Sequence, residues 1–91
     1  MNNIGIVTAM RIEGRCITNR YLPLGEIINI GDNTSICLCG IGEDSARKAA
    51  EELQARGANS LISFGVAGAI SPKLRAGDLV LPESIYNECP L

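Results

Sequence analysis

The chain has 91 residues, a formal net charge of −2 at pH 7, four cysteines and no histidine. This length allows one small domain, which buries about 60–65% of the surface of its unfolded chain. The slight negative charge and the scattered Lys and Arg residues argue against nucleic acid as a partner. No apolar run reaches the roughly 18 residues of a membrane span, and no basic, signal-like segment opens the chain. We therefore expect a cytoplasmic protein without a membrane span.

The cysteines do not form a metal-binding pattern. There is no C-x-x-C pair, and no histidine can complete a zinc site. Cys37 and Cys39 alternate with apolar residues, so on a strand both lie on one face. We expect buried free thiols, no metal and no resident cofactor. Without histidine the usual activation of a Ser or Cys nucleophile is missing, which leaves carboxylates as the general bases.

The first predicted element is a buried strand over the apolar centre of residues 2–8. Glu13 follows about one helical turn beyond its carboxyl end. In a parallel sheet the carboxyl ends of the strands face a common crevice, where open α/β folds bind ligands. Position alone leaves two hypotheses for Glu13: a functional carboxylate in that crevice, or a solvated carboxylate without a function.

Residues 21–25 resemble a connection, and residues 26–30 are predicted to form a second strand. Gly31-Asp32-Asn33 is typical of a turn, after which residues 34–39 return as a third strand, most simply in a hairpin. The third strand ends at Gly40-Ile41-Gly42.

A helix is predicted after this glycine pair, with Asp44 or Ser45 as its cap. Gly57 is expected to end it. Its apolar positions follow i, i+3, i+4, i+7 spacing: Ala46, Ala49, Ala50 and Leu53. Two i, i+4 ion pairs are expected on its surface, Glu43 with Arg47 and Glu52 with Arg56.

The glycine pair before the helix falls one glycine short of the dinucleotide fingerprint, and no acidic residue follows Phe64 to hold a ribose hydroxyl. An anion or a ribose hydroxyl near the start of the helix remains physically reasonable. Glu43 and Asp44 beside it oppose a strongly charged phosphate.

The run over residues 61–70 is predicted to be a buried strand that leads into a small-residue loop. Gly65-Val66-Ala67-Gly68-Ala69 leaves few side-chain atoms at the end of the strand, so a ligand could approach the backbone N–H groups. The alternative is a tight turn in a packed core. Residues 71–77 then form a turn-rich connection, and residues 78–82 start another predicted strand. Residues 83–91 show no clear period, and the chain resembles a piece cut from something longer.

Four short patterns, in this order over nearly the whole chain, resemble the amino-terminal half of the nucleoside phosphorylase and nucleosidase superfamily. They are Ala9-Met10-x-x-Glu13, Gly40-Ile41-Gly42, Gly65-Val66-Ala67-Gly68 and Leu74-x-x-Gly77-Asp78-Leu79-Val80. The chain is most similar to the hopanoid-associated phosphorylase branch. This similarity lies in the sequences of residues 63–68 and 77–83 and in the short link from Glu13 to the second strand.

The resemblance implies an α/β fold, with residues 1–91 as a partial domain whose carboxyl-terminal half is absent. This part belongs to a three-layer α/β/α sandwich with a central mixed β-sheet. The implied reaction is cleavage of the N-glycosidic bond of a purine nucleoside, in this branch the release of adenine from adenosylhopane. Glu13 is implied to hold and activate water. The implied substrate-binding residues are Met10, Gly40, Ile41, Gly42, Gly65, Val66, Ala67 and Gly68.

The nucleophile can be water or phosphate. Phosphorylases of the superfamily carry a Gly-Asp-Pro-x-x-Arg-like phosphate element after the first strand, where this chain has Ala9-Met10-Arg11-Ile12-Glu13. They also carry an Arg and a Ser around the central glycine loop, where Ser63 and Val66 stand here. The Glu13 carboxylate repels phosphate by roughly a few kcal/mol at an effective dielectric of about 20. Hydrolysis is therefore favoured, although Arg11 or Arg15 could contact phosphate as a co-substrate.

In this superfamily the residues that grip the purine, clamp the ribose and protonate the base lie in the carboxyl-terminal half. The resemblance therefore implies that the isolated chain has no nucleosidase activity. Sheet edges left exposed favour a homo-oligomer. The competing hypothesis is a non-catalytic, truncated α/β module that self-associates through such an edge.

Overall fold

Within residues 2–84, which the computed structural model describes, the chain forms one mixed sheet with two helices. The strands are β1 (Ile4–Thr8), β2 (Ile27–Gly31), β3 (Thr34–Leu38) and β4 (Ser60–Phe64), and the helices are α1 (Arg11–Gly14) and α2 (Glu43–Ala55). The strand order is β2-β3-β1-β4. β1 pairs in parallel with β3 and β4, whereas β2 pairs antiparallel with β3. The predicted α/β class, mixed sheet and hairpin are confirmed.

The two faces of β1 are packed against separate cores. Ile6 and Val7 are adjacent in the chain and therefore lie on opposite faces of the sheet. The Ile6 face packs with Leu22, Ile36 and Leu38, and the Val7 face packs with Cys37, Ala49 and Leu53. α2 thus covers one face, and the segment that follows α1 covers the other. Because it is covered on both faces and paired on both edges, β1 is the buried strand that its apolar sequence predicts.

The start of α2 differs from the prediction. The residue before the helix is Gly42, whose φ of 113° is one that glycine adopts readily, and no side chain caps the helix. Asp44 and Ser45, the predicted caps, lie inside the first turn. Arg47 pairs with Asp44 at 2.6 Å rather than with Glu43. Neither predicted i, i+4 ion pair forms among the described residues.

The end of α2 agrees with the prediction. The helix ends at Ala55, and Gly57 follows with a φ of 103°. This left-handed conformation is the one that favours glycine after a helix.

Two expectations about the last third of the chain are wrong. β4 is largely exposed rather than buried, because it lies at the edge of the sheet and no described element covers it. Residues 78–82 do not form a strand within the described part. Two turns precede them, closed by hydrogen bonds from Leu74 N to the Ser71 carbonyl and from Asp78 N to the Arg75 carbonyl. These turns confirm the predicted connection, and no strand partner lies beside the segment that follows.

Candidate functional site

Glu13 is a buried carboxylate at the carboxyl end of β1. It lies in α1, the single helical turn that begins three residues after β1, and only 6% of its surface is exposed. Gly14 lets this turn pack closely, because a Cβ there would lie 2.7 Å from Leu22 Cδ1. The open question of whether Glu13 is solvated is therefore resolved in favour of a buried position.

Three hydrogen bonds fix the Glu13 carboxylate. The Thr8 hydroxyl donates to Oε1 at 3.4 Å, and the Met10 backbone N–H donates to the same atom at 3.1 Å. The Val66 backbone N–H donates to Oε2 at 3.0 Å. The last bond spans 53 residues of sequence and joins the turn after β1 to the loop after β4. The carboxylate and the small-residue loop therefore meet at one end of the sheet.

These donors keep Glu13 ionised at neutral pH. The Val66 N–H, followed by the backbone N–H groups of Met10 and Ala9 and the Thr8 hydroxyl, lowers the pKa of Glu13 below its ordinary value of 4.5, against the opposing effect of burial. An ionised carboxylate only accepts hydrogen bonds. Glu13 is thus placed as an acceptor in a sheltered position.

The loop also passes close to Glu13 at Gly65. A Cβ at Gly65 would lie 2.9 Å from Glu13 Oε2 and 3.5 Å from Cδ. Real Cβ atoms do not come that near to an oxygen, so any larger residue would displace the carboxylate or the loop. Because Gly65 has no side chain, the loop can contact the Glu13 carboxylate.

A cleft of about 240 Å³ opens beside Glu13. It is bordered by residues at the carboxyl ends of the three parallel strands, which is the position expected for a ligand site in an open α/β sheet. Its lining residues are Val7, Ala9, Glu13, Cys39, Gly40, Gly42, Ala46, Ser63, Phe64 and Gly65.

The predicted substrate-binding residues fall into four groups. Gly40, Gly42 and Gly65 line the cleft, and Met10 and Val66 reach its carboxylate through their backbone N–H groups. Ile41 is 81% exposed and does not line it. Ala67 and Gly68 line a larger hollow of about 630 Å³ farther along the loop.

The two predicted phosphate residues lie apart from the Glu13 cleft. Arg11 and Arg15 border a separate depression of about 250 Å³, together with Asn19, Arg20, Tyr21 and Leu22. The two sites share no lining residue.

Three residues of the site were not among the predicted site residues. Thr8, the last residue of β1, is 1% exposed and directs its hydroxyl at Glu13. Cys39 and Ser63 line the cleft. Burial raises the pKa of the Cys39 thiol, and the negative charge of Glu13 adds to the effect, so the thiol is neutral. A polar residue that ends a buried strand, as Thr8 does, is the signal that could have identified it.

No group of three or more His, Cys, Asp or Glu residues in the described part of the chain could hold a metal ion. Among the same residues, no helix is both long enough and apolar enough to cross a membrane.

The fold defines an α/β protein with a cleft at the carboxyl ends of parallel strands. The sequence model of the family described as the phosphorylase superfamily matches residues 15–89, and the chain belongs to this family. Membership indicates nucleoside phosphorylase or nucleosidase activity and a small-molecule nucleoside as substrate. The match includes the loops at Gly40 and Gly65 but begins after Glu13. Comparisons with curated proteins and with solved structures gave no significant match.

Proposed function

We propose that the cleft beside Glu13 binds the sugar of a purine nucleoside and that Glu13 orients the water that cleaves the N-glycosidic bond. The observation that carries this proposal is the hydrogen bond between Glu13 and the Val66 N–H, which brings a carboxylate and a small-residue loop to one cleft. A carboxylate offers about four acceptor positions, and the hydrogen bonds of 3.0 and 3.1 Å from Val66 and Met10 use two of them. The carboxylate can therefore also accept a hydrogen bond from water or a sugar hydroxyl.

The charge of Glu13 favours water over phosphate as the nucleophile. Because its pKa is lowered, the carboxylate is ionised at pH 7. It would repel each unit of phosphate charge at 4 Å by about 4 kcal/mol at an effective dielectric of 20. A neutral water meets no such cost. The lowered pKa also makes Glu13 a weak base, so its contribution is to hold water against the anomeric carbon as the oxocarbenium-like state develops.

The cleft is small for a whole nucleoside. Its volume of about 240 Å³ is below the roughly 300–1,000 Å³ of typical ligand pockets. The resemblance to the nucleoside phosphorylases implies that the groups that hold the base and protonate it come from the carboxyl-terminal half of that fold. The isolated chain of residues 1–91 is therefore expected to release no base.

A large apolar 5′ substituent would suit the neighbouring hollow. This space of about 630 Å³ begins at Ala67 and Gly68, and much of its lining is apolar, including Ile70, Leu74 and Val80. Together with the resemblance of residues 63–68 and 77–83 to the hopanoid-associated branch, it supports adenosylhopane as the nucleoside and adenine as the released base.

Product analysis tests the choice of nucleophile. The protein, expressed in full from its gene, is incubated with adenosine, with and without phosphate, and the sugar product is identified. We expect free ribose in both reactions. Formation of ribose 1-phosphate would contradict the role of water. A nucleoside with a long alkyl group at the 5′ position should react faster than adenosine, and an equal or slower rate would contradict the assignment of the apolar hollow.

The second candidate is a non-catalytic module that self-associates. It is favoured by the open edge of β4, where Leu61 and Ile62 are 41% and 47% exposed. Sedimentation of the protein discriminates the two readings when it is combined with the base-release assay. Association without any base release would favour the module, and a monomer that releases adenine would exclude it.

A further inference from the structure

Three arginines line the depression formed by α1 and the segment that follows it. Arg11, Arg15 and Arg20 supply three of its six lining residues, and none of the six carries a carboxylate. The chain as a whole is acidic, with a formal charge of −2. Three like charges around a space of about 250 Å³ repel one another. Such an arrangement is stabilised when a multivalent anion fills the space between them.

No acidic side chain forms an ion pair with this cluster within residues 2–84. The ion pair between Arg47 and Asp44 is the only one among those residues, and it lies on α2. Glu13 is in the same turn as Arg11, but its carboxylate accepts hydrogen bonds from Thr8 and from backbone N–H groups instead. The three guanidinium groups therefore keep donors for a ligand.

Two of the arginines are held in place by neutral partners. The Arg11 guanidinium lies 5.2 Å from the centre of the Tyr21 ring and donates to the Tyr21 hydroxyl at 3.2 Å. Arg20 donates to the carbonyl oxygen of Asn29. These contacts orient both side chains without cancelling their charge. Arg15 makes no side-chain hydrogen bond or ion pair with any described residue, so its full set of donors is available.

We propose that this depression, defined by Arg11, Arg15, Arg20 and Tyr21, binds a phosphate group at a site separate from the Glu13 cleft. Planar guanidinium groups hold phosphate oxygens through paired, charge-assisted hydrogen bonds, and three arginines that line one depression can provide this chemistry. Because the depression and the cleft share no lining residue, a phosphate here is bound as such and does not serve as the nucleophile. The site therefore does not depend on the proposed nucleosidase reaction.

Phosphate titration of the protein tests this site. Inorganic phosphate is titrated at low ionic strength while the backbone NMR signals of residues 11–21 are followed, with wild type, Arg15→Gln and Arg56→Gln in parallel. Arg15 is chosen because its side chain has no described partner, so its loss leaves the fold intact. Arg56 is an exposed arginine at the end of α2 and gives the same change of charge away from the depression.

We expect saturable binding that Arg15→Gln weakens about fivefold, in keeping with the loss of an exposed charge-assisted hydrogen bond, and that Arg56→Gln leaves unchanged. A second arm measures co-sedimentation with phosphatidylcholine vesicles that do or do not contain phosphatidic acid. Binding that requires phosphatidic acid and is lost in Arg15→Gln would assign the phosphate to a lipid headgroup. Equal effects of the two substitutions, or no saturable binding in either arm, would overturn the proposal.

Discussion

Replacing Gly65 with alanine tests the contact between the loop and Glu13. The new Cβ would lie 2.9 Å from Glu13 Oε2, so the carboxylate or the loop has to shift. Such a shift breaks the hydrogen bond from the Val66 N–H to Glu13. Hydrogen bonds to charged groups contribute about 1.5–3 kcal/mol. We therefore expect the free energy of unfolding to fall by about 2 kcal/mol, the middle of that range.

Urea unfolding at pH 7 measures the change, and Gly68→Ala is the matched control. A Cβ at Gly68 would meet nothing within 4 Å, and neither glycine has a positive φ, so the entropic effect on the unfolded chain is shared. With a slope of about 1 kcal/mol per molar urea for a small protein, the midpoint of Gly65→Ala should fall roughly 2 M below that of Gly68→Ala. In a Glu13→Ala background, the cost of Gly65→Ala should largely disappear. Equal midpoints for the two alanine variants would refute the close approach.

The remaining predictions concern pH, thiol reactivity and packing. Because the folded pKa of Glu13 lies below its ordinary value, its ionised form stabilises the fold above about pH 4.5, and this contribution is lost as the pH falls through the folded pKa. The difference in free energy of unfolding between wild type and Glu13→Gln should therefore shrink in acid. A difference that grows on acidification would contradict the lowered pKa. Iodoacetamide at pH 7.5 should label exposed Cys16 much faster than Cys37, because Cys37 is buried and its pKa is raised. Mass spectrometry of the peptides measures the two labelling rates, and equal rates would contradict the buried position of Cys37. Gly14→Ala should lower the free energy of unfolding by about 1–3 kcal/mol through overpacking, since its Cβ would lie 2.7 Å from Leu22 Cδ1. A Gly14→Ala variant as stable as wild type would contradict the close packing of this turn.

Much of the sheet could be predicted because its signals are local. The apolar centre of β1, the turn at Gly31-Asp32-Asn33 and the period of α2 each depend on a few neighbouring residues, and all three elements form as expected. The meeting of Glu13 with the loop after β4 was predictable for a topological reason, because both follow parallel strands that pair directly with each other.

The features that were predicted wrongly depend on contacts between residues that are distant in sequence. Residues 78–82 have the composition of a strand, but strand formation requires a neighbouring strand to pair with, and none lies beside them in the described part. The apolar residues of β4 predicted burial, but burial depends on what covers the sheet edge. The separation of Arg11 and Arg15 from the Glu13 cleft also could not be read from spacing. It follows from Glu13 being directed at Val66 while Arg11 packs on Tyr21.

The rate of adenine release from adenosine, measured for wild type and Glu13→Gln with the protein expressed in full, tests the central claim most directly. Glu51→Gln is the control, since it removes an exposed carboxylate from α2 with the same change of charge. Misplacing a reacting group costs on the order of 100-fold in rate, so we expect Glu13→Gln, which removes the charged acceptor that orients the water, to slow release about 100-fold and Glu51→Gln to have no effect. Release by Glu13→Gln at the wild-type rate would contradict the account.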